Sequence, residues 1–136
     1  MKSANPLISV AIYLRGNELD PAVVSKVLGI EPSRSQKRGG FKHRSTRFIA
    51  KIGVWALKIS SDSRLVENMI DELLQKIGHP PQPLDKIEGV EDAHLDIFIA
   101  WKDGPNESVE FSLTQDHLAK LNQLGLSTCF TVDKPD

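Results

Sequence analysis

The sequence predicts an α+β fold in which a mostly antiparallel sheet of about five strands carries three helices on one face. Short segments alternate apolar and polar residues with the period of two that is typical of a half-buried strand. Between them lie segments with apolar residues at helical spacing and capping residues at their ends. At 136 residues and 40% hydrophobic composition, the chain has the length of one domain, which we assign to residues 1–136.

The first strand and helix have the clearest patterns. "LISVAIYLR" alternates strictly and predicts a strand over 7–15. Asp20 is suited to cap the next helix, Pro21 to occupy its first position and Gly29 to end it in a left-handed conformation, so a helix is predicted over 21–28. The basic segment that follows has no apolar period, and we expect it to be a long loop.

The second strand and helix follow that loop. "GVWALKIS" predicts a strand that begins at Gly53, with Trp55 on its core side. "LVENMIDELLQKI" repeats apolar residues at the spacing of an amphipathic helix. Ser63 or Asp62 is the expected N-cap of this helix, and Gly78 is the expected end.

The later part of the chain predicts a hairpin, a helix and a closing strand. "HLDIFIAW" and "SVEFSL" alternate and are separated by the turn residues of "KDGPNE", so we expect them to pair antiparallel. Thr114 and Gly125 mark the ends of the helix in "TQDHLAKLNQLG". In the strand "LSTCFTV", Cys129 is expected to be a small packing residue. The first and last helices share an eight-residue Asp-to-Leu interval, which is compatible with a ferredoxin-like arrangement.

Charge is divided unevenly along the chain. Residues 1–61 contain 11 Lys or Arg and 3 acidic residues, whereas residues 62–136 contain 6 and 15, and the net charge is −1. No acidic residue occurs between Pro32 and Ser61. The field near that stretch is therefore positive, unless the fold brings the acidic half against it.

The chain resembles a family of small bacterial domains described as domain of unknown function 4279. The resemblance rests on an Asp-Pro helix start, a Leu-Gly-Ile-x-Pro helix end, a basic loop with Ser and Gly, a Gly-x-Trp strand and the closing "LNQLGLSTCFTVD". In this sequence the first four are Leu19-Asp20-Pro21, Leu28 to Pro32, Ser33 to Gly40, and Gly53-Val54-Trp55. The resemblance covers nearly the whole chain and implies a compact α+β domain of bacteria. It supplies no catalytic or binding residues.

The sequence contains none of the familiar catalytic or metal motifs. The four histidines lack His-x-x-x-His spacing, and one cysteine cannot form a Cys-x-x-Cys pair. Nucleophile elbows and nucleotide-binding glycine loops are also missing. We therefore expect no metal, no cofactor and no enzymatic activity. The enzyme alternative rests on His94 and Asp96, which project from the same strand face and could act as a general base pair. A solvated sheet face with scattered polar residues is the simpler explanation of the two side chains, and we prefer it.

The candidate binding element is the basic segment, defined here as residues 31–47. Its cations are Arg34, Lys37, Arg38, Lys42, Arg44 and Arg47. Together with hydroxyl side chains and accessible backbone amides, these are groups that bind carboxylates and phosphates. We expect a non-catalytic binding or interaction module that recognises an acidic protein or a small anionic ligand. A phosphorylated ligand or single-stranded RNA is the alternative, and the pI of 6.4 disfavours nucleic acid.

The sequence also gives expectations about the cellular location of the protein and its oligomeric state. The N-terminus lacks the apolar region of a signal peptide, and no apolar run approaches the roughly 20 residues that span a bilayer. A single cysteine fits a reducing compartment. We therefore expect a cytoplasmic protein with no membrane partner, and a homodimer remains open because one sheet face could be buried between two copies.

Overall fold

The computed structural model of the chain describes residues 6–40, 51–63, 65–101 and 109–133. Its strands and helices, in chain order, are β1 (Leu7–Gly16), α1 (Pro21–Leu28), β2 (Arg34–Gln36), β3 (Gly53–Ser61), α2 (Val66–Ile77), β4 (Asp92–Ala100), α3 (Gln115–Gln123) and β5 (Ser127–Asp133), with one 3₁₀ turn at Leu84–Lys86. The predicted α+β fold, with its five-stranded sheet and three helices, is confirmed.

The sheet is built around β1. The strand order is β2-β3-β1-β4-β5, and β1 pairs antiparallel with both β3 and β4. β2 pairs antiparallel with β3, whereas β5 pairs parallel with β4 after the crossover through α3. The sheet is therefore mostly antiparallel, as predicted. A ferredoxin-like arrangement is not confirmed, because α1 lies between antiparallel strands while α3 joins parallel ones.

The hydrophobic core lies on one face of this sheet. The register places Ile12 between Leu57 and Leu95, and the neighbouring rows are apolar in the same way. α2 covers this face with six buried residues, while α1 adds Val24 and α3 adds Leu121 to the same cluster. All three helices thus pack on one side of the sheet. Trp55 is buried on this side, as predicted.

The ends of α1 and α3 follow the predicted capping chemistry. The Asp20 carboxylate accepts the backbone N–H of Ala22 at 3.0 Å, and Gly29 has a φ of 71°. At α3, Thr114 Oγ1 accepts the N–H of His117 at 3.1 Å, while His117 Nδ1 accepts the N–H of Thr114 at 3.2 Å. This is a capping box in which a histidine replaces the usual Glu or Gln.

The prediction that Ser63 or Asp62 is the N-cap of α2 is wrong. The helix begins at Val66 with Leu65 as its N-cap and makes no side-chain capping hydrogen bond. Ser63 instead belongs to the turn after β3, where its N–H donates to Ser61 Oγ at 3.1 Å. Gly78 ends the helix as predicted, with its N–H donating to the Leu74 carbonyl at 2.9 Å.

Two strand predictions need correction. The basic segment is not a loop throughout, because Arg34–Gln36 forms the short edge strand β2. The predicted hairpin does not form, since residues 109–114 have no strand structure and β5 pairs beside β4 in its place. Val109, Phe111 and Leu113 instead pack alternate side chains against the core. Period-two alternation therefore marks an extended segment on a core, whether or not it has a strand partner. The predicted turn lies outside the described residues.

The expectation that Cys129 is a packing residue is also wrong. β5 is an edge strand, and Cys129 is an exposed free thiol on it. It lies in register with Asp96, on the side of the sheet away from the helices, so no described helix covers it. Among the described residues, no helix is long and apolar enough to cross a membrane.

The capping analysis predicts a stability difference between two hydroxyl deletions. Thr114→Ala removes the acceptor for the His117 N–H and should lower the free energy of unfolding by about 1 kcal/mol. Ser63→Ala, at the position the sequence alone selects as a cap, should change it by less than about 0.5 kcal/mol. Urea denaturation followed by circular dichroism measures both, and equal losses would contradict the observed helix starts.

Candidate functional site

The described part of the basic segment lies along one edge of the sheet. Arg34 is in β2, and Lys37 and Arg38 are in the turn that follows it. All three side chains are exposed. The other predicted binding residues, Lys42, Arg44 and Arg47, lie outside the described residues.

Backbone and side-chain hydrogen bonds hold the start of this segment in place. The Ser33 N–H donates to the Ala56 carbonyl at 2.7 Å, and Ser33 Oγ accepts the N–H of Lys58 at 3.0 Å. Gln36 Nε2 donates to the Ile52 carbonyl at 2.9 Å. Arg34 therefore extends from a backbone that is fixed to β3, and it makes no ion pair with any described carboxylate.

Two of the cations have partners in their own half of the chain. Arg38 Nη2 lies 2.7 Å from Glu18 Oε1, and Lys37 Nζ lies 3.7 Å from Asp20 Oδ2. The Arg38 and Glu18 side chains are 51% and 78% exposed. An ion pair as exposed as this contributes only about 0–1 kcal/mol to stability. The described contacts therefore do not join the basic segment to carboxylates of the acidic half.

The topology places the two charge types on opposite sides of one sheet face. We call this the open face, because no described helix packs on it. Its basic side, on β2, β3 and β1, carries Arg34, Lys58 and Arg15. Its acidic side, on β4 and β5, carries Asp92, Asp96 and Asp133. The boundary lies between β1 and β4, where Arg15 and Asp92 are register partners.

A cavity of about 460 Å³ lies between α1 and β2. Its lining residues are Pro21, Ala22, Ser25, Lys26, Glu31, Pro32 and Ser35. Trp55 Nε1 donates to Ser25 Oγ at 3.1 Å, so the Ser25 hydroxyl hydrogen remains available as a donor. Lys26 and the serine hydroxyls can bind a small anion, while Glu31 opposes one. Sequence reasoning missed this cavity because it depends on where Ser35 of β2 lies relative to α1, and the sequence predicts that segment as a loop.

The open face also carries a row of aromatic and charged groups. The rings of Tyr13 and His94 stack with centroids 5.4 Å apart and an interplanar angle of 20°. The Arg15 guanidinium carbon lies 5.3 Å from the Tyr13 ring centroid. His94 Nδ1 is 2.8 Å from Asp92 Oδ2, and because a carboxylate only accepts, Nδ1 carries the hydrogen. The neutral ring then presents Nε2 as an acceptor.

The structure corrects the pairing proposed for His94. Asp96 does lie on the same face and is half-buried, but the described hydrogen-bond partner of His94 is Asp92. Both carboxylates are two positions from the histidine, so the period-two argument could not choose between them. His94 is only 7% exposed, which limits the access of a substrate to its ring.

The described residues give no metal site. No group of three or more His, Cys, Asp or Glu among them is arranged to hold a metal ion. His117, the other buried histidine, has both ring nitrogens engaged: Nδ1 accepts from Thr114, and Nε2 donates to Asp71 Oδ1 at 2.7 Å. It joins α3 to α2 and is a structural residue.

The His94 geometry predicts a tautomer that can be measured. In long-range ¹H–¹⁵N correlation spectra at neutral pH, the unprotonated ring should carry its hydrogen mainly on Nδ1. Asp92→Ala should shift the balance to the Nε2–H form, because the acceptor for Nδ1–H is removed. Asp96→Ala is the matched control and should leave the pattern unchanged; the reverse result would assign the partner to Asp96.

Comparison with known protein families gives a match that covers nearly the whole chain. The model of a protein family described as domain of unknown function (DUF4279) matches residues 6–133. No curated protein and no solved structure matches the chain. The matched region includes every described strand and helix, and the predicted resemblance is confirmed: the chain belongs to the DUF4279 family.

Proposed function

We propose that this protein is a non-catalytic interaction module that binds an acidic segment of a partner protein through its basic segment. The observation that carries the proposal is the exposure of Arg34, Lys37 and Arg38 along one edge of the sheet, within the stretch from Pro32 to Ser61 that contains no acidic residue. A row of cations on an ordered edge is complementary to carboxylates on a partner.

The internal ion pairs are compatible with such binding. Glu18 and Asp20 hold Arg38 and Lys37 only at exposed positions, where the electrostatic gain is small. A partner that desolvates these cations can replace both carboxylates, and an Arg guanidinium can hold the new one in bidentate fashion. Because the attraction is between solvent-exposed charges, salt should screen it, and binding should weaken strongly as the salt concentration rises.

A small anionic or phosphorylated ligand is the first alternative. The cavity between α1 and β2 supports it, with the Lys26 ammonium and the Ser25 and Ser35 hydroxyls at its wall. Single-stranded RNA is less well supported. Tyr13 could stack on a base, but it already contacts His94 and Arg15, and the acidic side of the open face repels a phosphate backbone.

An enzyme centred on His94 is the second alternative, favoured by the hydrogen bond between His94 and Asp92. A carboxylate that orients a histidine is the arrangement of a general base. Asp96, which the sequence alone suggests as the partner of His94, would then be a second carboxylate beside the site. The burial of the imidazole and its stacking on Tyr13 make a structural role the stronger explanation.

We place this function in the bacterial cytoplasm. The single, exposed thiol of Cys129 is suited to a reducing compartment. The proposed activity requires no cofactor, no metal and no membrane partner.

The proposal predicts a loss of binding when the described cations are neutralised. A fluorescein-labelled oligoglutamate peptide is the probe, and fluorescence anisotropy is measured at about 20 mM and about 150 mM salt. Wild-type protein should bind, and the higher salt should weaken binding by about tenfold or more. The Arg34→Gln, Lys37→Gln, Arg38→Gln triple variant should weaken it by at least about tenfold at the lower salt.

The matched control changes the same amount of charge on the helix side, as Lys76→Gln, Lys86→Gln, Lys120→Gln. It should bind as wild type does, and circular dichroism should show both triple variants folded, because exposed charges contribute little to stability. Equal weakening by the two variants would refute a localised site. Tighter binding of an oligouridylate than of oligoglutamate would favour the RNA alternative.

The enzyme alternative has its own test. If His94 is a general base oriented by Asp92, a broad hydrolase panel should contain a substrate whose turnover falls at least about a hundredfold in His94→Ala. Asp92→Ala should lose more activity than Asp96→Ala. A panel without turnover by wild-type protein, or equal effects of the two aspartates, would count against this assignment.

A further inference from the structure

The two edges of the sheet differ in how they are protected against pairing. β2 is three residues long and is accompanied by the cations Arg34, Lys37 and Arg38, a pattern that keeps an edge from joining another strand. β5 is seven residues long and contains neither proline nor a cation. Its single charged residue, Asp133, is its last. β5 therefore lacks the usual protection of an exposed edge.

The outer edge of β5 has a defined set of backbone groups. The Trp101 N–H donates to the Asp133 carbonyl at 3.2 Å, so Asp133 directs its backbone toward β4. Backbone direction alternates along a strand of a parallel ladder. Thr128, Phe130 and Val132 must therefore direct their N–H and C=O groups away from β4, and no described strand lies there.

Apolar side chains accompany this edge. Phe130 and Val132 are 57% and 59% exposed, although they lie on the side of the sheet that carries the core. Phe111 stacks on Phe130 at 6.0 Å between ring centroids and extends the apolar surface. An edge that presents both unpaired backbone groups and large apolar side chains is suited to take another strand.

We propose that β5 pairs antiparallel with β5 of a second copy, about a twofold axis at Phe130, so that two sheets join into one. An axis at this residue sets Phe130 against its equivalent as a hydrogen-bonded pair and Thr128 against Val132, which matches every outward backbone group of both strands. It also sets Asp133 against Ser127, so no like charges are directly opposed.

The second copy is the favoured occupant because the edge complements itself. The residues whose backbone groups face outward, Thr128, Phe130 and Val132, carry no charge and give no preference for a charged foreign peptide. The symmetric pairing leaves no outward backbone group of β5 unused. The basic segment is at the opposite edge of the sheet, so a dimer leaves it accessible. This inference therefore does not depend on the proposed function.

The first test is the oligomeric state in solution. Size-exclusion chromatography with light scattering, from about 1 μM to about 100 μM protein, should show the mass rising from 15.1 kDa toward twice that value. Phe130→Lys places two ammonium groups against each other at the axis and should keep the mass at that of one chain. Leu65→Lys, at the exposed apolar residue that is the N-cap of α2, is the control and should dimerise as wild type does.

The second test fixes the register by a disulfide. With the twofold axis at Phe130, Cys129 lies opposite Thr131 of the other copy in a non-hydrogen-bonded pair. The Cα atoms of such a pair are about 4.5 Å apart, a distance that a disulfide can span. Thr131→Cys should therefore give a covalent dimer on mild oxidation, whereas wild-type Cys129, about 7 Å or more from its equivalent, should not.

Three results would overturn the proposal. One is a wild-type mass of one chain throughout the concentration range, which would leave the β5 edge to a foreign strand. Another is equal dimerisation of Phe130→Lys and Leu65→Lys, since the contact would then lie elsewhere. The third is rapid disulfide cross-linking of wild-type protein to an extent that Thr131→Cys does not exceed. The twofold axis would then not lie at Phe130.

Discussion

The pairing of β1 on both of its edges is the constraint on which the rest of the structure depends. Its alternate residues Val10, Ile12 and Leu14 are fully buried beneath the helices and lie in register with apolar residues of β3 and β4. A slip of one residue would turn this row to the other face. The same register fixes Tyr13 beside His94 and Arg15 beside Asp92. The core and the open face are therefore set by one alignment of strands.

The strand order turns an imbalance along the sequence into an imbalance in space. β1, β2 and β3 come from the basic half of the chain and lie together, while β4 and β5 come from the acidic half. An order that interleaved the halves would have mixed the charges on the open face. The two edges consequently differ in chemistry, with cations along β2 and a strand without cations, which exposes Phe130 and Val132, at β5. Such a sheet is suited to two contacts at once.

Local sequence signals predicted much of the fold. Asp20, Gly29, Thr114 and Gly125 mark their helix ends because capping depends on neighbouring residues alone. The start of α2 could not be found in this way. Several polar residues precede the helix, and the tertiary structure determines at which residue the helix begins. The hairpin prediction failed for a related reason: the partner of β4 is chosen by a crossover through α3, which no local pattern encodes.

The candidate site was less predictable than the fold. Sequence reasoning placed His94 and Asp96 on one strand face, and the structure agrees, but the choice of Asp92 over Asp96 as the partner of His94 depends on side-chain rotamers. The cavity beneath β2 depends on a strand of three residues whose pairing is a property of the whole sheet. Lys42, Arg44 and Arg47 remain sequence predictions.

His117 ties the last crossover to the rest of the molecule through hydrogen bonds rather than apolar contact alone. Its Nδ1 accepts the backbone N–H of Thr114, and its Nε2 donates to Asp71 Oδ1. Both bonds need the neutral tautomer that carries its hydrogen on Nε2. The pairing of β4 with β5 closes a separation of 33 residues between His94 and Ser127, whereas the pairing of β1 with β4 closes one of 81 between Tyr13 and His94. Because longer separations cost more loop-closure entropy, we expect the crossover and β5 to pair with β4 before β1 does. The chain would then expose the outer edge of β5 while the rest of the sheet is still incomplete, which is the stage at which unpaired strand edges promote aggregation.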